Sequence, residues 1–355
     1  MTSAPTPAPK TEQNSTQAIA SFANSLTSTM SMAIEEIVDI NSNTQLLALN
    51  ARIEAARAGA SGAAFSVVAQ EMQALSAKTA EVADRLAHSA KSSIGNLLEL
   101  IGSNVRGGRL SDLALVNIDL VDRNLYERTC DVRWWATDSS VVDALTRGEP
   151  SDFEFASRRM GVILSAYTVY HDLVLCDLNG QIVANGRPER YKSVGRNVVD
   201  ADWFRSARSS RSGDEYGFES AHESKLVDGK NVLVYSCGVR EAGRADGKIL
   251  GVLGVIFNWH DFAQTILAQV PLAESERQAT RCCLCDDRGF VLADSWGRQL
   301  RDTLKLPNLP EIFRERKNFV VTKIDNQEVC IAHAQAPGFE TYSTGWHSVI
   351  IQPVD

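Results

Sequence analysis

The chain has 355 residues, with 36 basic and 44 acidic side chains giving a formal net charge of -8, and 44% of its residues are hydrophobic. That length suffices for two or three compact units, and the acidic balance supplies no global field for nucleic acid or an anionic membrane. The longest strongly apolar run, Ile249 to Phe257, is nine residues against about 20 for a bilayer span, so no membrane insertion and a cytoplasmic location are expected.

Residues 1–17 are rich in Pro, Ser, Thr and Ala. Without a basic start or an apolar stretch they read as a disordered lead-in, not a signal peptide. Two helical arms follow. Ile19, Ala23, Leu26, Met30, Ala33, Ile37, Ile40, Thr44 and Leu47 recur in alternating steps of four and three. Val68, Met72, Leu75, Thr79, Val82 and Leu86 repeat that stepping, the mark of a coiled-coil seam. A single rod of both arms would measure about 130 Å and leave its seam bare without a partner. Folding back is expected to bury each seam against the other, with a long parallel dimer as the alternative. Gly59 and Gly62, set among small residues, permit the reversal. The hairpin is assigned to residues 18–106 with its tip near 50–62, and Gly107–Gly108 opens a linker at 107–112.

The run LLALNARIEAARAG (46–59) with FSVVA (65–69) resembles the cytoplasmic hairpin tip of methyl-accepting chemotaxis receptors. The resemblance implies an antiparallel four-helix dimer whose apex binds a histidine kinase and a coupling adaptor. It places the reversal around Glu54 to Gly59, earlier than the glycines alone. Leu46, Leu49, Asn50 and Val67 match tip residues that face the adaptor or kinase, and Glu54 and Arg57 match the polar pair linking neighbouring dimers. A Glu and an Arg three apart are also the spacing of an ordinary surface pair. Ser42 stands where the family usually has a Phe in the trimer contact, Ala60 where it has an acidic residue, and Ala63–Ala64 where it has Arg-Gly. The amino-side arm is only about 50 Å long, whereas family methylation sites lie farther from the tip, so methylation is not expected. Glu35–Glu36 reads as a solvated face.

A long helix is expected from Leu113 to Leu145, and beyond it short β-rich segments with turn signals. LVLCDLNGQIVAN (173–185) and CCLCDDRGFVLAD (282–294) align at a constant spacing of 109 residues. Each reads as strand, Asp-containing turn with Gly, strand. Such a repeat implies two similar lobes, about 146–265 and 275–355. Further strands are expected at 231–239, 249–258, 319–324, 328–334 and 346–353, with helices near 202–208 and 309–316. The fold class is α+β: an antiparallel helical hairpin, a long helix, and two antiparallel-sheet lobes.

The leading helix, the repeated hairpin, DADWFRSA (200–207), GKILGVLGVIF (247–257) and GWHSVIIQPV (345–354) resemble the double Cache sensor, a pair of PAS-like lobes behind a long helix, here assigned to 113–355. Most such relatives are extracytoplasmic and precede the signalling hairpin; here the order is reversed. In that family the first lobe holds a small molecule. The resemblance makes Trp203 the aromatic that shelters the ligand, Phe204 its neighbour and Tyr216 a loop tyrosine. Tyr235 and Cys237 share one strand face, and aromatics with a polar tip suit such a pocket. Asp202 stands beside them, although an Asp there is also a common helix cap. The amino-acid-binding subgroup needs an Arg two positions before the Trp and an Asp in the last strand. Ala201 and Ile256 occupy those places, so a free α-amino acid is not expected.

Seven cysteines, an odd number, give no disulfide framework. Cys282 and Cys285 point to opposite faces of a strand, which argues against a redox pair or metal site. Tyr170-His171-Asp172 and Trp259-His260-Asp261 put a His beside an Asp, but catalysis needs convergence in space. No enzyme, cofactor or metal is expected. The sequence reads as a soluble chemotaxis-type transducer: a Cache unit senses a small molecule, and a dimeric hairpin controls the kinase through the adaptor. The alternative is a scaffold docking into receptor clusters without any ligand.

Overall fold

The computed structural model describes residues 10–307 and 309–354, in two compact units that divide after Arg106. Of the expected lead-in, residues 1–9 lie outside the described residues, as does the side chain of Ile19, and helix already begins at Lys10. In the first unit α1 (Lys10–Arg57) is followed by a short 3-10 turn, Gly59–Gly62, and then by α2, which starts at Ala63 and continues to Trp135. The chain therefore reverses at Ala58–Gly62, the later of the two expected positions. Gly59 adopts a φ of +58°, and a Cβ on Gly62 would stand 2.1 Å from the Ala55 carbonyl oxygen. Both positions call for glycine, one for its left-handed backbone and one for the close approach.

The arms do not meet along the expected seam. Leu47 is 64% and Leu75 66% exposed, and Ile40, Val68, Val82 and Leu86 are exposed with them. Near the turn the buried residues are small and spaced by seven, Asn41, Ala48 and Ala55 on α1 and Ala69, Ser76 and Ala83 on α2, with Gly62 in the turn; farther out on α1 the seam residue Ala23 is also buried. Two helices touch along one narrow line, and small side chains let them approach closely there; bulky residues are displaced to either flank. Ser76 Oγ donates to the Asn41 carbonyl at 3.0 Å, and Arg52 Nη1 reaches Gln73 Oε1 at 2.6 Å. These bonds fix the register of the arms.

The second unit comprises the rest of α2, α3 (Ser139–Arg147), α4 (Pro150–Ala166), β1 (Tyr170–Asp177), β2 (Ile182–Asn185), α5 (Asp202–Arg208), β3 (Gly217–Ser224), β4 (Lys230–Arg240), β5 (Ile249–Phe257), α6 (Trp259–Ala268), α7 (Glu274–Arg277), β6 (Arg281–Cys285), β7 (Val291–Asp294), α8 (Leu309–Ile312), β8 (Lys317–Ile324), β9 (Gln327–Gln335) and β10 (His347–Pro353). The two compact units divide at Gly107, the expected start of the linker, but residues 107–112 are not an irregular linker, because α2 runs through them without interruption. A Cβ on Gly107 would fall within 2.1 Å of the Phe319 ring, so this glycine lets β8 pack against the helix. The long helix expected to end at Leu145 ends at Trp135, and α3 follows with Asp138 capping its first turn by accepting from Ser140 N. The segment after it is not all β: α4 opens on a proline and buries Ala156, Met160 and Leu164, a stripe with a spacing of four.

The two sheets have the same five-strand antiparallel order, β2-β1-β5-β4-β3 and β7-β6-β10-β9-β8. The 109-residue repeat persists in atomic detail. Asp177 Oδ1 accepts from the backbone of Asn179 and Gln181, and Asp286 Oδ1 from that of Arg288 and Phe290. Gly180 and Gly289 close these turns at φ +82° and +80°. One large core holds α2 residues Leu110, Ile118 and Leu125 together with lobe-one residues such as Leu233 and lobe-two residues such as Ile350. The outer face of each sheet carries its own smaller core.

Candidate functional site

On α1, Leu46, Leu49 and Asn50 are all exposed, with Ile53 one turn further along; the i, i+3, i+4, i+7 spacing puts them on one stripe. Val67, in the second turn of α2, is 61% exposed. Glu54 and Arg57 form an exposed ion pair at 2.8 Å. The apex is therefore an apolar stripe ending in a solvated charge pair, held by the small-residue packing behind it. Such a stripe exceeds what a helix needs to remain in water. The i+7 recurrence of Ala, Ser and Asn was the available signal for the inner contact, but bulky residues dominated the periodicity.

Lobe one separates its candidate ligand residues. Trp203 and Phe204, at the start of α5, are buried in the outer core with Val174, Val234 and Ile256. Tyr235 is buried in the inner core with Leu173, Leu253 and Val255. Alternation along β4 puts the side chains of Val234 and Tyr235 on opposite faces, so the sheet stands between Trp203 and Tyr235, and they cannot line one pocket. The Trp203 ring lies on Gly254, where an added Cβ would come within 2.8 Å of Cζ3. Asp202 points outward to an ion pair with Arg205.

The inner-face tyrosines join the lobes. Tyr235 OH and Tyr342 OH share a 2.8 Å hydrogen bond, and the half-buried Tyr216 ring lies 6.3 Å from Tyr235 and 6.5 Å from Tyr342. Burial holds all three phenols above their usual range. Asp122, fully buried on α2, accepts from Gly338 N at 2.9 Å, Thr344 N at 3.1 Å and Thr344 Oγ1 at 2.7 Å. Tyr170 OH donates to Asp131 on the same helix. Side chains from both lobes are thus tied to α2 by polar bonds that the sequence reading did not single out. A buried acid on the apolar face of a helix, as Asp122 is, was the signal for one of them.

Asp172 is buried beside Asn185, whose Nδ2 donates to it at 2.7 Å, and burial pushes its carboxyl up to about 6. The repeat-related pair in lobe two is Arg281 and Asp294, a buried ion pair at 2.6 Å. Cys282 belongs to the inner core and Cys285 to the outer one. Among the described residues no helix is long and apolar enough to cross a membrane.

Residues 5–99 match the methyl-accepting chemotaxis protein (MCP) signalling domain, and residues 66–355 match the Cache domain. The methyl-accepting chemotaxis protein HlyB of Vibrio cholerae is 45% identical over 67 residues, covering 19% of this chain and 12% of its own. McpG of Pseudomonas putida is 48% identical over 63 residues, covering 18% and 10%. This chain thus spans about a tenth of the length of those curated relatives. The sensory domain of the Campylobacter jejuni chemoreceptor Tlp3 (CcmL) shares the fold at a TM-score of 0.53 and 16% identity, covering 71% of this chain and 95% of that one. With the hairpin, the repeated lobes and the long helix before them all in place, the chain belongs to the Cache domain family and carries a methyl-accepting chemotaxis protein signalling domain in its amino-terminal part.

Proposed function

We propose that the chain is a chemotaxis-type signal transducer. The Cache unit binds a small molecule, and the hairpin works as a dimer whose apex engages a coupling adaptor and, through it, a histidine kinase. The observation that carries this reading is the exposed stripe of Leu46, Leu49 and Ile53 beside the Glu54–Arg57 pair, on a hairpin whose inner contact uses only small residues. Bulky flanking residues such as Leu47 and Leu75 form a second apolar surface, suited to another copy of the same hairpin. The continuity of α2 supports the coupling. The segment tied to both lobes through Asp122 and Asp131 belongs to the same helix as the returning arm. A bias of about 1 kcal/mol between two packings is enough to change kinase output several-fold. The place of action in this reading is the cytoplasm, where the kinase and adaptor reside.

A solved structure of the Tlp3 sensory domain has isoleucine bound. The charged anchors that the amino-acid-binding subgroup is expected to use are Ala201 and Ile256 here, so the ligand in this reading is not a free α-amino acid. The buried state of Trp203, Phe204 and Tyr235 favours a second reading in which the chain docks into receptor clusters without a ligand of its own. Pull-down of adaptor and kinase by the full chain tests the shared element. Capture by wild type that is weakened in the Leu49→Ala, Val67→Ala double variant is expected. No capture by wild type sinks both readings, and capture without a kinase response to any small molecule leaves the scaffold reading standing.

A further inference from the structure

The repeat gives two lobes of one topology, and their outer faces have been filled differently. In lobe one the space between sheet and covering segment is taken by Trp203, Phe204 and Tyr191, all buried. Arg187, the second residue after β2, is turned inward and donates to the carbonyls of Leu164, Tyr170 and His171. In lobe two the second residue after β7 is Trp296, and its ring is 48% exposed. It forms one wall of a cleft of ~750 Å³ bounded by the segment after β7, the β8–β9 turn and the end of β10. That volume is in the range of small-molecule sites.

The lining has a definite chemistry. Leu306, Ile324, Val329 and Ile351 give it an apolar floor. Arg281 lies at its base, 10% exposed in its side chain, where Asp294 neutralises it and Asp302 stands 3.6 Å away. Arg298 and Lys305 line the same cleft and form no ion pair with a described residue; Arg298 lies 5.6 Å from the Trp296 ring centre. Asp325 is the acid left to oppose them. An apolar floor, an indole wall and two cations, Arg298 and Lys305, that form no ion pair with a described residue favour a small organic anion: a carboxylate to meet Arg298 and Lys305, and a short or flat apolar body to lie on Trp296. We propose that this lobe-two cleft, and not the filled face of lobe one, is the small-molecule site of the chain, and that its ligand is a small organic carboxylate. The proposal rests on the Cache unit being a small-molecule binder, and its failure leaves the hairpin pull-down untouched.

The test is isothermal titration of the full chain with succinate and with benzoate, with uncharged benzyl alcohol as the control. Saturable binding of at least one carboxylate is expected, at least about tenfold tighter than benzyl alcohol. Arg298→Ala and Trp296→Ala should each weaken it about tenfold or more, whereas Glu189→Gln, on the exposed loop of lobe one, should not. Both substituted lobe-two side chains are exposed, so these variants should fold, and unchanged circular dichroism checks that they do. Absence of saturable binding of either carboxylate up to ~10 mM overturns the proposal. So does binding that survives both lobe-two substitutions, or that is lost in Glu189→Gln.

Discussion

Leu47 and Ala48 are neighbours in sequence and opposites in packing, which makes them a sharp test of the hairpin. Ala48 is fully buried in the small-residue line, while Leu47 is 64% exposed. Burying a whole leucine is worth about 1.5–3 kcal/mol, so covering the exposed part of Leu47 with a second copy yields about 1–2 kcal/mol. A symmetric dimer counts the residue twice, and Leu47→Ala should cost the dimer about 2–4 kcal/mol, or roughly 30- to 1,000-fold in its dissociation constant. It should leave the folded single chain almost untouched. Ala48→Leu should do the reverse: it forces three extra carbons into the line where the arms meet, and overpacking of that kind costs about 1–3 kcal/mol within one chain. Sedimentation equilibrium reads the first effect, and urea unfolding at a concentration where the chain is monomeric reads the second. If Leu47→Ala leaves the dissociation constant within about threefold of wild type and Ala48→Leu unfolds like wild type, the assignment of inner and outer stripes is wrong.

Two predictions concern the Cache unit. Burial holds His171 and His347 down to about 4 against about 6.5 in an unfolded chain. Between these values the folded protein binds fewer protons, and stability rises with pH. Asp172, pushed up to about 6 by burial, works the other way and loses stability as pH rises from about 4 to 6. Two histidines outweigh one carboxyl, so urea unfolding should show a net gain of about 4 kcal/mol from pH 4 to 6.5. His347→Leu should flatten that rise by about 3 kcal/mol; a fall in wild-type stability across the window would contradict the assignment. Asp122→Ala, which strips three acceptor bonds from the 338–344 segment, should cost about 3 kcal/mol in urea unfolding. Asp122→Asn, which keeps one acceptor oxygen, should cost clearly less, and equal losses in the two variants would show that the bonds are not what the residue supplies.

The hairpin was legible because its reversal depends on backbone chemistry. Gly59 and Gly62 stand out among good helix formers, and the structure uses both for reasons that no other side chain meets. Its inner face was not legible by the same route. Periodicity weighted by hydrophobicity finds the bulky stripe, whereas antiparallel helices in contact select for closeness, which Ala48, Ala69 and Ser76 give. The strand repeat was legible for the same reason as the turn: Asp177 and Asp286 each cap a tight loop closed by a left-handed glycine, and that requirement recurs in both lobes. α4 escaped because its buried stripe is only three residues, Ala156, Met160 and Leu164, within a charged segment.

The candidate pocket in lobe one failed on parity. Tyr235 and Cys237 share a face by strand alternation alone, but Trp203 comes from a helix outside the sheet, and its face is set by tertiary packing. The sheet separates them, and Gly254 has no side chain because the indole occupies that space. Lobe two has the same strand order, yet an Arg281–Asp294 pair where lobe one has Asp172 and Asn185, and a half-exposed Trp296 where lobe one turns Arg187 inward. Equal backbone traces thus carry unequal interiors. A closed lobe suits a structural role, since each side chain that fills it adds burial and removes room for a ligand. An open lobe gives up that burial, and Arg298 and Lys305 in its lining form no ion pair with a described residue. On the proposal that a carboxylate enters the cleft, the stabilisation forgone in lobe two is recovered by that ligand, and the asymmetry behind the proposal lies in the side chains and not in the topology.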